Sequence, residues 1–159
     1  MAMNLFDLTG KTAVVIGGNS TLGGSMAVAL GGHGADVAVV GRNQEKAEEV
    51  ARAVEEAGGR AKCFSADATN PEDLKKVLED VLAWTGRCDI LMNCPGKNSP
   101  TPFFDLTMDE WDSIMEVNLK SVWWSRVKGE ASSTFPPYPR ILRCPASSRI
   151  RPRRRPSIT

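Results

Sequence analysis

The chain has 159 residues, 42% hydrophobic and 25% charged, with four cysteines and a formal net charge of +1. This is ordinary for one soluble globular domain. No apolar run approaches the roughly 18 residues of a membrane span, and the start has no basic-then-apolar signal pattern, so a cytoplasmic protein is expected.

Lys11-Thr12 leads into a short β-branched run, and residues 12–16 are predicted as a strand. The run breaks into Gly17-Gly18-Asn19-Ser20-Thr21-Leu22-Gly23-Gly24 and resumes as a helix over about residues 21–31. Such a strand–glycine–helix turn lets the backbone approach a ligand closely, and the helix aims its unpaired N–H groups and positive dipole end at it. A pyrophosphate suits that position; a plain tight turn has the same sequence signature. Gly31 to Gly34 stop the helix, with His33 expected on the surface at its end.

Residues 35–40 read as a second strand. Asn43 caps a helix whose apolar face is Ala47, Val50, Ala51, Val54 and Ala57, stopped by Gly58-Gly59. Residues 60–66 are a third strand. Asn70-Pro71 opens a helix with Leu74, Val77, Leu78, Val81 and Leu82 inward. Residues 88–93 are a fourth strand, and Thr107 to Glu110 form a capping box opening a helix to about residue 127. The apolar face of that helix includes Trp111, Ile114, Met115, Leu119 and Val122. Strands alternating with helices predict an α/β fold, a doubly wound parallel sheet of about four strands with ligands at the strands' carboxyl ends. Cys63, Cys88, Cys94 and Cys144 make no CxxC pair or Cys/His cluster, so reduced thiols and no metal site are expected.

The pattern stops after about residue 126. Residues 1–130 hold all 19 acids and 13 of the 20 bases, net −6; residues 131–159 hold seven arginines, six of the ten prolines and no acid, net +7. We therefore divide the chain into 1–128 as a folded unit and 129–159 as an Arg/Pro/Ser-rich tail, expected to be disordered or to come from a shifted reading frame. An arginine-rich arm that binds nucleic acid through phosphates is the alternative for the tail.

Leu8-Thr9-Gly10-Lys11-Thr12-Ala13-Val14-Val15, followed by Gly17 to Gly23, resembles the opening of the short-chain dehydrogenase/reductase family and its Thr-Gly-x-x-x-Gly-x-Gly loop. Gly17 and Gly23 match the first and third glycines; Ile16 replaces the threonine and Thr21 the second glycine. Ala66-Asp67-Ala68 resembles the family's adenine-contacting aspartate, and Asn93-Cys94-Pro95-Gly96 its Asn-Asn-Ala-Gly motif, altered at the middle two positions. Asn118 resembles the asparagine of the catalytic helix; here it falls on the helix's apolar side, where its amide needs partners. A core asparagine bonded to backbone is the alternative.

The resemblance implies a Rossmann-type fold and a dinucleotide cofactor held by Gly17, Asn19, Ser20, Thr21, Leu22, Gly23, Arg42, Asp67, Ala68, Asn93 and Gly96, with Asn118 in the catalytic role. Where an acid would bind a ribose 2′-hydroxyl, the chain has Gly41-Arg42, which favours NADP over NAD. The family parent is expected to be a homo-oligomer, with no membrane partner and no nucleic acid. It would exchange hydride with a small carbonyl or alcohol, and the loops at Pro95–Pro100 and Val122–Trp124 resemble those of sugar-acid and polyol oxidoreductases. The resemblance also implies a tyrosine with a lysine four residues later. The single tyrosine, Tyr138, has Leu142 there instead, so an inactive chain is expected. A non-catalytic dinucleotide-binding module is the alternative to an enzyme. The fourth strand is expected to be left as an open edge, with self-association as the consequence.

Overall fold

The computed structural model describes residues 5–125. The expected disordered tail, Tyr138 and Cys144 lie outside the described residues. A four-stranded parallel sheet is built from β1 (Thr12–Ile16), β2 (Asp36–Gly41), β3 (Arg60–Ser65) and β4 (Ile90–Asn93), in the spatial order β3-β2-β1-β4. Helices α1 (Thr21–Gly32), α2 (Gln44–Glu56) and α3 (Pro71–Thr85) connect them. Val15 lies beside Val39 on one side and Met92 on the other. The order reverses at β1: the chain steps outward to β3, then returns to place β4 on β1's free side.

Every residue of β1 is buried, as in a central parallel strand covered on both faces. Alternate side chains feed two cores. Ala13, Val15, Val37 and Val39 meet Ala27 of α1 and Ala47 and Val54 of α2. Val14, Ile16, Ala38, Val40 and Phe64 meet Leu74, Val77 and Val81 of α3. Small residues let α1 and α2 approach closely, since a Cβ on Gly31 would overlap the Val54 side chain. Ser20, Asn43 and Asn70 cap the three helices by accepting from Gly23, Lys46 and Glu72 N–H, and Gly86 (φ 74°) closes α3.

The last helical segment departs from expectation. It is not one amphipathic helix but α4 (Met108–Met115), a π turn (Glu116–Lys120) and α5 (Ser121–Trp124). Ser121 N–H donates to Glu116 O, five residues back, and its buried hydroxyl donates to Val117 O at 2.5 Å. The extra residue rotates α5 by about 100° relative to a continuous helix. The expected inward face is only half-buried at Ile114, Met115 and Val122, while Trp111 and Leu119 are exposed. β4 begins at Ile90, two residues later than expected, although the Asp89 N–H already donates to Thr12 O at 2.9 Å.

Candidate functional site

The carboxyl ends of the strands gather the predicted residues at the point where strand order reverses. Gly17 leaves β1 at φ +76°, a conformation that L side chains rarely adopt. A Cβ there would lie 2.6 Å from Cys94 O, so the glycine loop is pressed against the exit of β4. A Cβ on Gly23 would overlap Gly17 O, which closes the loop on itself. Gly17 and Gly18 N–H both donate to Val40 O, tying the loop to β2.

The Ser20 hydroxyl is spent inside the loop, donating to Gly17 O at 2.7 Å and accepting from Gly23 N–H at 3.1 Å. Thr21 and Leu22 open α1, both exposed, and the first-turn N–H groups there point outward from the helix end. Asn19 folds back over the end of β2, with its amide 3.5 Å from Asn43 O. Asn19, Ser20 and Thr21 share a surface hollow of about 450 Å³ with Lys46, Glu49 and Val50 of α2. Lys46 belongs to no motif; its position in the first turn after the Asn43 cap was the available signal.

Arg42 follows β2, largely exposed, and its Nη1 lies 3.8 Å from Asp67 Oδ2. Asp67 follows β3. Its Oδ1 accepts from Thr69 N–H at 2.8 Å and from the Thr69 hydroxyl at 2.7 Å. Those two bonds hold its carboxyl below the usual range against a small opposing effect of burial, with Arg42 adding to them. Ala68 packs half-buried against the α3-side core. Asn93 ends β4 opposite Ile16, and its buried Oδ1 has no protein partner. Burial raises the Cys94 thiol, which stays protonated 3.6 Å from Met26 Sδ. Gly96 is exposed, with open space where a Cβ would be.

Asn118 requires a correction. It sits in the π turn and is exposed, not on a buried apolar face. Lys97 N–H donates to Asn118 Oδ1 at 2.8 Å, and Asn118 Nδ2 donates to Lys97 O at 2.9 Å. The amide is a two-point clamp on the backbone of the loop after β4, made from an exposed position rather than from the core. The Lys97 ammonium donates to Ser113 Oγ on α4. Farther along, Glu110 accepts from Thr101 (2.7 Å), Ser99 (3.1 Å) and the Thr107 N–H (3.1 Å), which drives its pKa down to about 2. Sequence reasoning finds Glu110 only as half of a capping box.

A dinucleotide fits these residues. The self-packed glycines leave the N-terminal turn of α1 clear for a pyrophosphate, the exposed Arg42, paired only at 3.8 Å with Asp67, can reach a further phosphate, and Asn93 Oδ1 is an orphan acceptor. Among the described residues no group of three His, Cys, Asp or Glu could hold a metal, and no helix is long and apolar enough to cross a membrane.

Comparison with known proteins agrees with this geometry. A family model described as short chain dehydrogenase matches residues 11–128. An uncharacterised oxidoreductase of Staphylococcus aureus (strain USA300) is 34% identical over 118 residues, 74% of this chain and 50% of the relative. A short-chain type dehydrogenase/reductase from Mycobacterium marinum superposes with a TM-score of 0.73 at 30% identity, over 76% of this chain and 49% of that one. A dehydrogenase from Burkholderia cenocepacia with bound NADP does so with a TM-score of 0.69 at 36% identity, covering 76% and 47%. The chain thus spans about half the length of the curated relatives it matches.

Proposed function

The chain belongs to the short chain dehydrogenase family, and from that premise we propose that it binds a nicotinamide dinucleotide, NADP in preference to NAD, at the carboxyl ends of β1, β2 and β3. The observation that carries this reading is the glycine loop. Gly17 and Gly23 pack where no side chain fits, and that packing puts the start of α1 at the point of strand reversal. The N–H groups of Thr21 and Leu22 would receive the pyrophosphate, with Asn19 holding the loop against β2. Arg42 would receive a 2′-phosphate through charge-assisted bonds, and Asp67 and Ala68 would flank the adenine. The NADP-bound Burkholderia relative supports that choice of cofactor.

When bound, such a cofactor supplies a hydride acceptor or donor. In the full-length relatives we propose exchange with a carbonyl or alcohol of a sugar-acid-like substrate, on the likeness of the Pro95–Pro100 loop. For this chain we propose binding without turnover. The sequence lacks a tyrosine–lysine pair four residues apart, since Leu142 follows Tyr138 at that spacing, and a carbonyl then has no proton donor. Asn118 clamps the Lys97 loop through two backbone bonds, and on the family resemblance it remains the candidate for the asparagine of the catalytic helix.

Calorimetric titration with NADP⁺ and NAD⁺ tests the reading. Saturable one-to-one binding that is tighter for NADP⁺ is expected, and Arg42→Ala removes the difference. Absence of binding by either dinucleotide to a folded chain overturns it.

A further inference from the structure

We propose that Asp67 is a specificity-determining residue: it competes with the cofactor's 2′-phosphate for Arg42 and so holds down the preference for NADP. This inference rests on the nucleotide-binding reading above. β2 and β3 are neighbours, with Gly41 opposite Ser65, so the residues just beyond them, Arg42 and Asp67, meet at the rim of the same site. The Asp67 carboxylate is divided between two tasks. Oδ1 is held by the Thr69 N–H and hydroxyl, while Oδ2 faces Arg42 Nη1 at 3.8 Å. The Asp67 N–H donates to Asp73 Oδ2 at 3.0 Å, which fixes the turn from below. One partner is therefore anchored and the other is a solvent-exposed arginine free to swing; Arg42 is 80% exposed against 40% for Asp67.

A 2′-phosphate carries between one and two negative charges at neutral pH. Bound to Arg42, it must either draw the guanidinium away from Asp67 or share it beside a fixed carboxylate. Either course weakens phosphate binding. An unphosphorylated ribose presents no charge and leaves the pair intact. The carboxylate therefore acts on the ratio of NADP to NAD affinity, whatever it also does for the adenine that both cofactors share. Because the pair is long and exposed, the effect is modest.

The test is a set of NADP⁺ and NAD⁺ titrations of wild type, Asp67→Asn, Arg42→Ala and the double variant at low salt. Asparagine preserves the acceptor for Thr69. Asp67→Asn is expected to raise the NADP-to-NAD affinity ratio by about two- to fivefold, the range of an exposed ion pair. In the Arg42→Ala background the same substitution should change the ratio much less. Asp67→Ser, which also removes the charge, should shift the ratio in the same direction and keeps the test open should Asp67→Asn fail to fold. Equal shifts in both affinities, or an Asp67→Asn effect that persists undiminished without Arg42, overturn the competition while leaving nucleotide binding standing. Failure of either cofactor to bind the folded wild type overturns both.

Discussion

The carboxamide of Asn19 lies against the α-carbon of Gly41. A Cβ at position 41 would come 2.7 Å from Asn19 Nδ2 and overlap the rest of the amide. This contact ties the glycine loop to the last residue of β2, directly before Arg42. Gly41→Ala would push against the end of a side chain rather than against backbone, so the fold tolerates it, at a cost of about 1 kcal/mol or less. The displaced Asn19 can no longer hold the loop, and NADP⁺ affinity is expected to fall by up to about tenfold. In an Asn19→Gly background the clash is gone, and Gly41→Ala should then be silent. Thermal melts and NADP⁺ titrations of the two single variants and the double check this.

A different outcome is expected at Gly31, where α1 crosses α2. An added Cβ meets the Val54 side chain, which is fully buried and has nowhere to go, and a Cβ on Gly59 would lie 2.6 Å from the Gly31 α-carbon. Gly31→Ala should destabilise the chain by about 1–3 kcal/mol through overpacking. Val54→Ala in the same chain should recover part of that loss, although each substitution alone is harmful. Urea midpoints of the four chains measure the coupling.

The alternation of strands and helices is legible in the sequence because β1 and β2 are short β-branched or apolar runs and α2 and α3 carry regular apolar stripes. The glycine loop is legible as a loop, but its geometry is not. Nothing in the order Gly17 to Gly23 says that Gly17 answers to Cys94, or that Asn19 reaches Gly41; those contacts join strands that only the folded sheet brings together. Asn118 misleads for a local reason. On a continuous α-helix it falls beside Met115 and Leu119, and the π turn that rotates it outward leaves no mark in the hydrophobic period. The Arg42–Asp67 pair is invisible in the sequence because the motifs give each residue a ligand and neither residue the other.

Glu110 predicts a pH dependence. Its carboxylate accepts hydrogen bonds from Thr101, Ser99 and Thr107, which lowers its pKa from 4.5 to about 2. A folded-state value below the unfolded one means the ionised group stabilises the fold. That contribution is complete above pH 4.5, declines as the pH falls through the window, and is gone below about 2. Glu110→Gln should therefore be less stable than wild type at neutral pH, with the gap closing on acidification. Urea midpoints of the two chains across that window check the sign; a gap that widens in acid would contradict it.

The Asn118–Lys97 clamp predicts a local effect rather than a global one. Asn118→Ala removes both bonds to the Lys97 backbone, but Lys97 is exposed and water replaces them. The cost to stability should be about 1 kcal/mol. Hydrogen exchange at the Lys97 amide should accelerate strongly while amides in β1 and β2 are unchanged. Asn118→Asp keeps the acceptor for Lys97 N–H and loses the donor to Lys97 O, so its exchange should fall between the two. Equal protection of Lys97 in all three chains would mean the clamp does not hold the loop.

The two edges of the sheet predict how the chain behaves in solution. β3 carries Arg60 and Lys62 along its length, and such charges oppose pairing with another strand. β4, Ile-Leu-Met-Asn, carries no charge, is half-buried throughout and pairs only with β1 among the described residues. Phe103, Phe104, Trp111 and Leu119, all exposed, come after it in the chain. An uncharged strand edge and exposed apolar side chains each favour association. Light scattering should show self-association that grows with concentration and is relieved by denaturant at levels that leave the β1 and β2 amides protected. Substituting lysine at both Phe104 and Leu119 should reduce it without abolishing it, because the β4 backbone edge remains. A monodisperse monomer with a sharp cooperative melt across a wide concentration range would show instead that the edge is covered.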